Sequence, residues 1–199
     1  VNLAGISSGA TNESQTVTIT AMSSNTGLIP NPTVNYISPG TTGTLTFTPA
    51  PNANGTATIT VTANDGQPLN NSVSRSFTVT VSAVNDSPTL DTLSNLTLNE
   101  DAGTQTVTLS SIGSGAVNEN QTLTLTATSS NPGLIPNPTA TYSSPNATGT
   151  LTFRPVTNAA GSATINVTIN DGQSQNNTVT RSFSVTLSPI NDAPTITDV

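Results

Sequence analysis

ATITVTA at residues 57–63 and SFTVTVS at residues 76–82 decide the fold, because in both stretches an apolar residue alternates with Thr or Ser. The same alternation occurs in TVTITA at 16–21 and TLTFTP at 44–49. Successive side chains of a β-strand point to opposite faces, so a period of two places apolar side chains on one face of a sheet and hydroxyls on the other. Turn sequences such as NDGQ and SPNATG separate these stretches, and no helical period is found. The sequence therefore predicts an all-β protein.

The chain is a tandem repeat. Residues 1–93 align without a gap with residues 107–199, and 58 of the 93 aligned positions are identical. A period of this length is one whole domain, and short, regularly spaced strands in a unit of ~100 residues are typical of an immunoglobulin-like β-sandwich. We predict two such sandwiches joined end to end: repeat 1 over 1–88, repeat 2 over 89–194, and the start of a third repeat over 195–199.

Repeat 2 is expected to contain all the strands of the sandwich, and repeat 1 is expected to lack its first strand. No counterpart of SNLTLNEDAGTQT at 94–106 precedes repeat 1, so its strand A is missing. Either the sequence is a piece of a longer array, or another chain or segment adds a strand at the open edge of repeat 1. Repeat 1 alone should then be less stable than repeat 2 alone. The expected strands of repeat 2 are A near 95–99, B near 104–112, C near 121–129, D near 139–143, E near 149–154, F near 162–170 and G near 178–188.

Charged residues are scarce and mostly acidic. The chain has ten acidic residues, three Arg and no Lys or His, for a net charge of −7. Without basic patches, neither nucleic acid nor an anionic membrane is expected as a partner. No apolar run has membrane-spanning length and no signal peptide is found, so we expect no membrane insertion and an export signal outside these residues. Low charge and the absence of Cys and Lys suit an extracellular or surface-exposed bacterial protein.

Catalysis is not expected. With no His, Cys or Lys, Ser lacks its usual activators. Glu119 and Asp171 could act as a glycosidase pair, but they recur as Glu13 and Asp65 in the other repeat, as structural ligands would.

The acidic residues suggest a metal site. Glu119 lies in the BC loop of repeat 2 and Asp171 opens the FG loop, and both loops lie at the end of the sandwich that Asp86 of the linker enters. Three carboxylates brought together in a chain with so few cations would repel one another. Ca²⁺ accepts oxygen ligands of this kind, whereas zinc would need His or Cys. The expected ligands are Asn85, Asp86, Asn118, Glu119 and Asp171 at the junction of the repeats, Asn12, Glu13 and Asp65 in a half-site facing the previous repeat, and Glu100, Asp101, Asn191 and Asp192 in a half-site facing the next repeat.

Two alternatives stay open for the charged residues. Asp before Gly, and Asn-Asp before Pro, are common in turns, so the acids could instead cap loop amides. The matched pair Arg75 and Arg181 could recognise an anion, or could pair with a carboxylate or carbonyl of its own domain with its stem packed on the sheet.

Several motifs resemble those of a known class. With VNDSPTL at 84–90, INDAPTI at 190–196, NEDAGTQTV at 99–107 and the segments TITVTANDG and TINVTINDG, the chain resembles the tandem immunoglobulin-like or cadherin-like repeats of large bacterial surface and secreted proteins. The resemblance implies cadherin-like sandwiches with calcium bound between them. By position, the cadherin ligands correspond to Glu100, Asp65, Asp171, Asn85 with Asp86, and Asn191 with Asp192.

This chain also departs from the cadherin pattern. The Asp-x-Asp of the BC region and the Asp-Arg-Glu motif are absent, so Glu119 would substitute and the calcium site would be weaker. We expect a structural or adhesive segment of a long extracellular protein, stiffened by calcium, with neighbouring repeats of the same protein as its partners. The alternative is a binding module that recognises glycan, ice or a neighbouring cell through its loops or through a Thr-rich face such as Thr58, Thr60 and Thr62.

Overall fold

The computed structural model describes residues 1–194 and residue 196, which belong to two compact units, Val1–Val84 and Asn85–Val199. The predicted start of a third repeat at 195–199 therefore lies outside the described residues, apart from Ile196. The division falls at residue 84 and not at the expected residue 88, because Asn85 and Asp86 hydrogen-bond within unit 2. No helix long and apolar enough to span a membrane occurs in the part of the chain that the structure describes.

Unit 1 is described throughout and consists of two antiparallel sheets. One sheet has the strand order β1-β4-β3 and the other the order β2-β5-β6. In the lettering used for the predicted strands, the first sheet is B-E-D and the second sheet is C-F-G. The strand bounds are β1 Asn2–Ala4, β2 Thr18–Ser23, β3 Thr33–Asn35, β4 Thr42–Thr46, β5 Gly55–Asn64 and β6 Ser72–Val81.

Unit 2 contains a counterpart of each strand predicted from A to G. Its sheets have the orders β10-β11-β8 and β7-β13-β12-β9, which are D-E-B and A-G-F-C. This is the arrangement of an immunoglobulin-like sandwich and confirms the predicted fold class. The strand bounds are β7 Leu96–Asn99, β8 Gln105–Leu109, β9 Thr124–Ser129, β10 Thr139–Thr141, β11 Gly149–Phe153, β12 Gly161–Asn170 and β13 Thr178–Ser188.

Strands β8 and β9 depart most from their predicted bounds, and both are shorter than predicted. Strand β8 ends at Leu109 because Ser110 and Ser111 turn away to bind Asp91. Strand β9 begins at Thr124 and not near 121, since the preceding amide, that of Leu123, donates to the hydroxyl of Ser144 and not to a strand.

The core of unit 2 follows from the period of two. Ile165, Val167 and Ile169 of β12 are fully buried, and the alternate residues of β13, including Phe183 and Val185, are buried beside them. Strand β7 runs parallel to β13 and pairs with its outer edge. The apolar side chains within residues 85–99 pack against this core.

The core of unit 1 is less complete. Phe77 and Val79 of β6, which match Phe183 and Val185, are only partly buried. Within residues 1–84 no strand pairs with the outer edge of β6, the edge that β7 covers on β13 in unit 2. The shortfall of burial in unit 1 is therefore located where strand A was expected to be missing.

Candidate metal centre at the start of unit 2

The segment that joins the two repeats in sequence is built into unit 2. Pro88 and Leu90 are buried, and Leu90 is only 3% exposed. The amide of Thr89 donates to the carbonyl of Gly113 at 2.9 Å, and Arg181 Nε donates to the carbonyl of Leu90 at 3.0 Å. Of the two alternatives for the matched arginines, this geometry supports pairing with a carbonyl of the same domain.

Gly115 allows the segment to approach closely. Its φ of +117° is in a region that favours glycine, and a Cβ at this position would lie 2.8 Å from both Asp86 Cβ and the carbonyl oxygen of Ser87. Any side chain at residue 115 would therefore push the segment away from the BC loop.

The side-chain amide of Asn85 lies at the centre of a cluster of oxygen atoms, which we call the Asn85 cluster. Its Nδ2 is 2.9 Å from Asp171 Oδ2, 3.0 Å from the carbonyl oxygen of Gln175, 3.1 Å from that of Asp86 and 3.3 Å from that of Asn176. An amide nitrogen carries two hydrogens, so four acceptors exceed what it can satisfy. The cluster is therefore richer in oxygen acceptors than in donors.

Two further amides complete the Asn85 cluster. Gln121 Nε2 donates to Asn85 Oδ1 at 2.8 Å, and Asn176 Nδ2 donates to the backbone carbonyl of Asn85 at 2.9 Å. Gln121 Oε1 is buried and has no hydrogen-bond partner among the described residues. An unpartnered buried oxygen is costly, so a hydrogen-bond donor or a cation beside Gln121 Oε1 would be stabilising.

Asp171 is placed by the turn that follows β12. Asn170 Oδ1 accepts the amide of Gly172, and Asp171 Oδ1 accepts the amide of Gln173 at 2.9 Å, as is typical of Asx turns. The second carboxylate oxygen faces Asn85 Nδ2. Asp171 is only 4% exposed, so its charge is held by these N–H donors and not by water.

Glu119 caps a different part of the segment. Its Oε1 accepts the amide of Asp86 at 2.8 Å and its Oε2 accepts the amide of Ala116 at 3.3 Å. Among the described residues no group of three or more acidic side chains is arranged to hold a metal ion. The three carboxylates of Asp86, Glu119 and Asp171 were expected to converge on one point, but Glu119 accepts the amides of Asp86 and Ala116, whereas Asp171 accepts the amide of Gln173 and the side chain of Asn85.

Unit 1 repeats this capping. Glu13 Oε2 accepts the amide of Ala10 at 3.1 Å, and Asp65 Oδ1 accepts the amide of Gln67 at 3.0 Å. Asn12 is exposed beside Glu13. The proposed half-site residues of unit 1 therefore occupy the same loop positions as Asn118, Glu119 and Asp171 of unit 2.

The third set of expected metal ligands, which comprises Glu100, Asp101, Asn191 and Asp192, lies near the end of β13. Glu100 is buried, and its Oε1 accepts the amide of Ile190 at 2.7 Å. Asp101 Oδ1 instead accepts the amide of Asn158 at 2.9 Å, and so faces another loop. Asn191 Nδ2 donates to the carbonyl of Asp192 at 3.0 Å, as Asn85 does to that of Asp86. The structure thus brings Glu100 next to Ile190, whereas Asp101 binds the loop that contains Asn158.

Asp91 has a structural role that was not predicted from the sequence. Ser110 and Ser111 both donate their hydroxyls to Asp91 Oδ2 at 2.7 Å. The bonds from Ser111 and Ser110 hold the pKa of Asp91 below its ordinary value, with a smaller contribution from the charge of Arg181. The sequence did contain a signal, because the two serines are replaced by Ala4 and Gly5 in repeat 1, and Asp91 is replaced by Thr197 at the matching position 106 residues later.

The hydroxyl-bearing face of the sheets is internally hydrogen-bonded. Thr62 and Ser74 lie 2.8 Å apart across β5 and β6, and Thr168 and Thr180 lie 2.9 Å apart across β12 and β13. Cross-strand pairs of this kind stabilise a sheet. The Thr-rich face therefore has a structural use that requires no ligand.

No protein-family model matches the chain, and no curated protein matches it in sequence. Among solved structures, domains 4 and 5 of the S-layer protein SbsC are 20% identical over 84% of this chain and 76% of that chain, with a TM-score of 0.38. The human mucin-like protocadherin EC1-2 is 13% identical over 87% of this chain and 85% of that chain, with a TM-score of 0.42. An endo-fucoidan hydrolase of glycoside hydrolase family 107 is 17% identical over 88% of this chain but only 24% of its own length, with a TM-score of 0.36. Likenesses this distant carry no argument about function.

Proposed function

We propose that the chain is a structural segment of an extracellular surface protein, in which tandem sandwiches act as a spacer. The observation that supports this most is the fixing of Asn85 inside unit 2. Only residues 82–84 separate the end of β6 from Asn85. A tether this short, with no flexible Gly-rich stretch, limits the conformational freedom between successive repeats, as a spacer requires.

We further propose that Ca²⁺ binds at the Asn85 cluster and stiffens the segment. The support for this proposal is the set of oxygen atoms that could act as metal ligands. They are a carboxylate oxygen of the buried Asp171, the carbonyl oxygens of Asp86, Gln175 and Asn176, and the unpartnered Gln121 Oε1. Carboxylate, carbonyl and amide oxygens are the ligands that Ca²⁺ takes. With one carboxylate in the cluster we expect weak binding, in the ~10⁻⁴–10⁻³ M range of extracellular modules.

Thermal unfolding of the whole chain with millimolar CaCl₂ and with chelator tests the calcium site. Calcium bound to the folded state raises the unfolding midpoint by mass action, so we expect a rise for the wild type. Asp171→Asn should abolish the rise. Asp65→Asn is the matched control in unit 1 and should keep it.

The same experiment can contradict the calcium site without contradicting the proposed spacer function. An unchanged midpoint in both media would mean that amides alone hold the Asn85 cluster. The spacer itself is tested by small-angle scattering, comparing the wild type with a variant carrying a Gly-Ser insertion after Val84. Equal breadth of the two distance distributions would contradict it.

A further inference from the structure

The chain contains few peptide bonds that a protease specific for basic residues can cleave. Such an enzyme binds the Lys or Arg side chain that precedes the cleaved bond in a specificity pocket, which in trypsin contains an aspartate. The chain has three Arg and no Lys, so the candidate bonds are those that follow Arg75, Arg154 and Arg181. The structure describes all three arginines.

Two of the three arginines lie inside long strands. Arg75 belongs to β6 and pairs with Val61 of β5. Arg181 belongs to β13 and pairs with Val167 of β12. A protease binds several residues on each side of the bond that it cleaves, so either strand must first separate from its neighbour. In β13 this separation also removes Phe183, which is 2% exposed, from the core.

The third arginine is protected by the residue that follows it. Arg154 is exposed and lies just beyond β11, which ends at Phe153, so its place in the fold does not prevent access. The next residue is Pro155. Proline has no N–H and its ring fixes φ near −65°. Trypsin-like proteases do not accept the tertiary amide of such a bond, so the chemistry of the bond replaces the protection that a strand would give.

Uncharged residues occupy the most accessible loop positions. Loop tips are the preferred sites of proteolytic nicking. Leu69 is 80% exposed in the loop between β5 and β6, and Val117 is fully exposed in the loop between β8 and β9. A basic residue at either position would add a candidate bond in an accessible loop.

We infer that the placement of the three arginines makes the folded chain resistant to proteases that cleave after Lys or Arg. This goes beyond the proposed function, because it holds whether or not the chain binds calcium or acts as a spacer. The resistance is a property of the folded state for Arg75 and Arg181, and of the bond itself for Arg154.

Incubation of the whole native chain with trypsin, followed by mass spectrometry of the products, tests the inference. We expect the wild type to remain at 20.0 kDa. Leu69→Lys and Val117→Lys should be cut after the new residue at least about 100-fold faster, because a loop opens at a much lower free energy than a paired strand. Heat-denatured wild type should be cut after Arg75 and Arg181 but not after Arg154.

A matched pair of variants isolates the effect of the proline. Thr48 is exposed, has the position of Arg154 in repeat 1 and is followed by Pro49. Thr48→Arg should therefore remain uncut in the native state. Pro155→Ala should be cut after Arg154 while the bonds after Arg75 and Arg181 stay intact, which distinguishes local access from general unfolding.

Two results would overturn the inference. Cleavage of the native wild type as fast as that of the loop variants would show that the strands do not protect Arg75 and Arg181. Resistance of both Leu69→Lys and Val117→Lys would show that the fold protects its loops as well, so that the placement of the arginines is not the cause. Cleavage of Thr48→Arg at residue 48 would likewise contradict protection by the proline.

Discussion

Arg181 Nε donates to the carbonyl oxygen of Leu90 at 3.0 Å, whereas its counterpart Arg75 donates, among the residues that the structure describes, only to the carbonyl of the adjacent Ser74. Two arginines at matched positions thus have different hydrogen-bond partners. The difference arises because a segment covers the outer edge of β13 in unit 2, whereas no strand of unit 1 pairs with the outer edge of β6. Substituting each arginine in turn therefore measures how much the bond from Arg181 to Leu90 contributes to stability, with Arg75 as the control in the same molecule.

We expect Arg181→Ala to lower the free energy of unfolding of unit 2 by about 1 kcal/mol, through loss of the bond to Leu90. Arg75→Ala should change the stability of unit 1 by no more than about 0.5 kcal/mol, as for ordinary surface substitutions. Chemical denaturation followed by residue-resolved NMR separates the two units. Equal effects of the two substitutions would contradict the assignment.

Leu90 and Ile196 form a second matched pair. Leu90→Ala removes a buried side chain from the core of unit 2 and should cost about 2–5 kcal/mol of unfolding free energy. Ile196→Ala alters an exposed residue and should cost no more than about 0.5 kcal/mol. The measurement is urea unfolding of the whole chain. A small effect at Leu90 would mean that the segment is not part of the core.

Gly115 tests the closeness of the same segment. Gly115→Ala and Gly9→Ala both place a side chain at a φ near +120°, so they share the backbone strain. Only the Cβ at residue 115 meets backbone of another segment, at Asp86 and Ser87; the Cβ at residue 9 meets the end of the Glu13 side chain. We expect Gly115→Ala to cost about 1–3 kcal/mol more than Gly9→Ala in thermal unfolding.

Asp91 should make the stability of unit 2 depend on acid pH. Since its pKa is lowered in the folded state, its contribution is present above the unfolded-state pKa and is lost as the pH falls through the folded-state pKa. The unfolding midpoint of Asp91→Asn should therefore lie below that of the wild type at neutral pH. The two should converge below about pH 4. A difference that stays constant down to strongly acid pH would exclude the carboxylate as its cause.

Unit 1 should open more readily than unit 2. Phe77 and Val79 are only partly buried, while Phe183 and Val185 are 2% and 0% exposed. Amide hydrogen exchange of the whole chain should show faster exchange on β6 than on β13, since local opening reflects missing apolar contacts. Equal protection of the two strands would contradict this.

Much of the fold could be predicted because it depends on local patterns. The alternation in β12 and β13 determines which residues face the core, and the repeat gives the bounds of a unit. The ends of β8 and β9 could not be predicted, because they depend on side chains distant in sequence, such as Asp91 and Ser144.

The sequence predicted which loops meet at the candidate site, but it did not predict how their side chains are arranged. The loops containing Glu119 and Asp171 do contact the segment that contains Asn85 and Asp86. What the residue types could not reveal is which donor each carboxylate binds. That depends on loop conformations such as the positive φ of Asn176, which helps bring two carbonyls to Asn85 Nδ2.

The parallel pairing of β7 with β13 has a mechanical consequence. The first and last strands of unit 2 lie side by side, in register from Leu96 with Val185 to Asn99 with Ser188. If the chain is stretched from both ends of this unit, the two strands are pulled in opposite directions along their length. The hydrogen bonds between them then carry the load together in shear and do not open one at a time. We therefore expect unit 2 to resist tension along the chain.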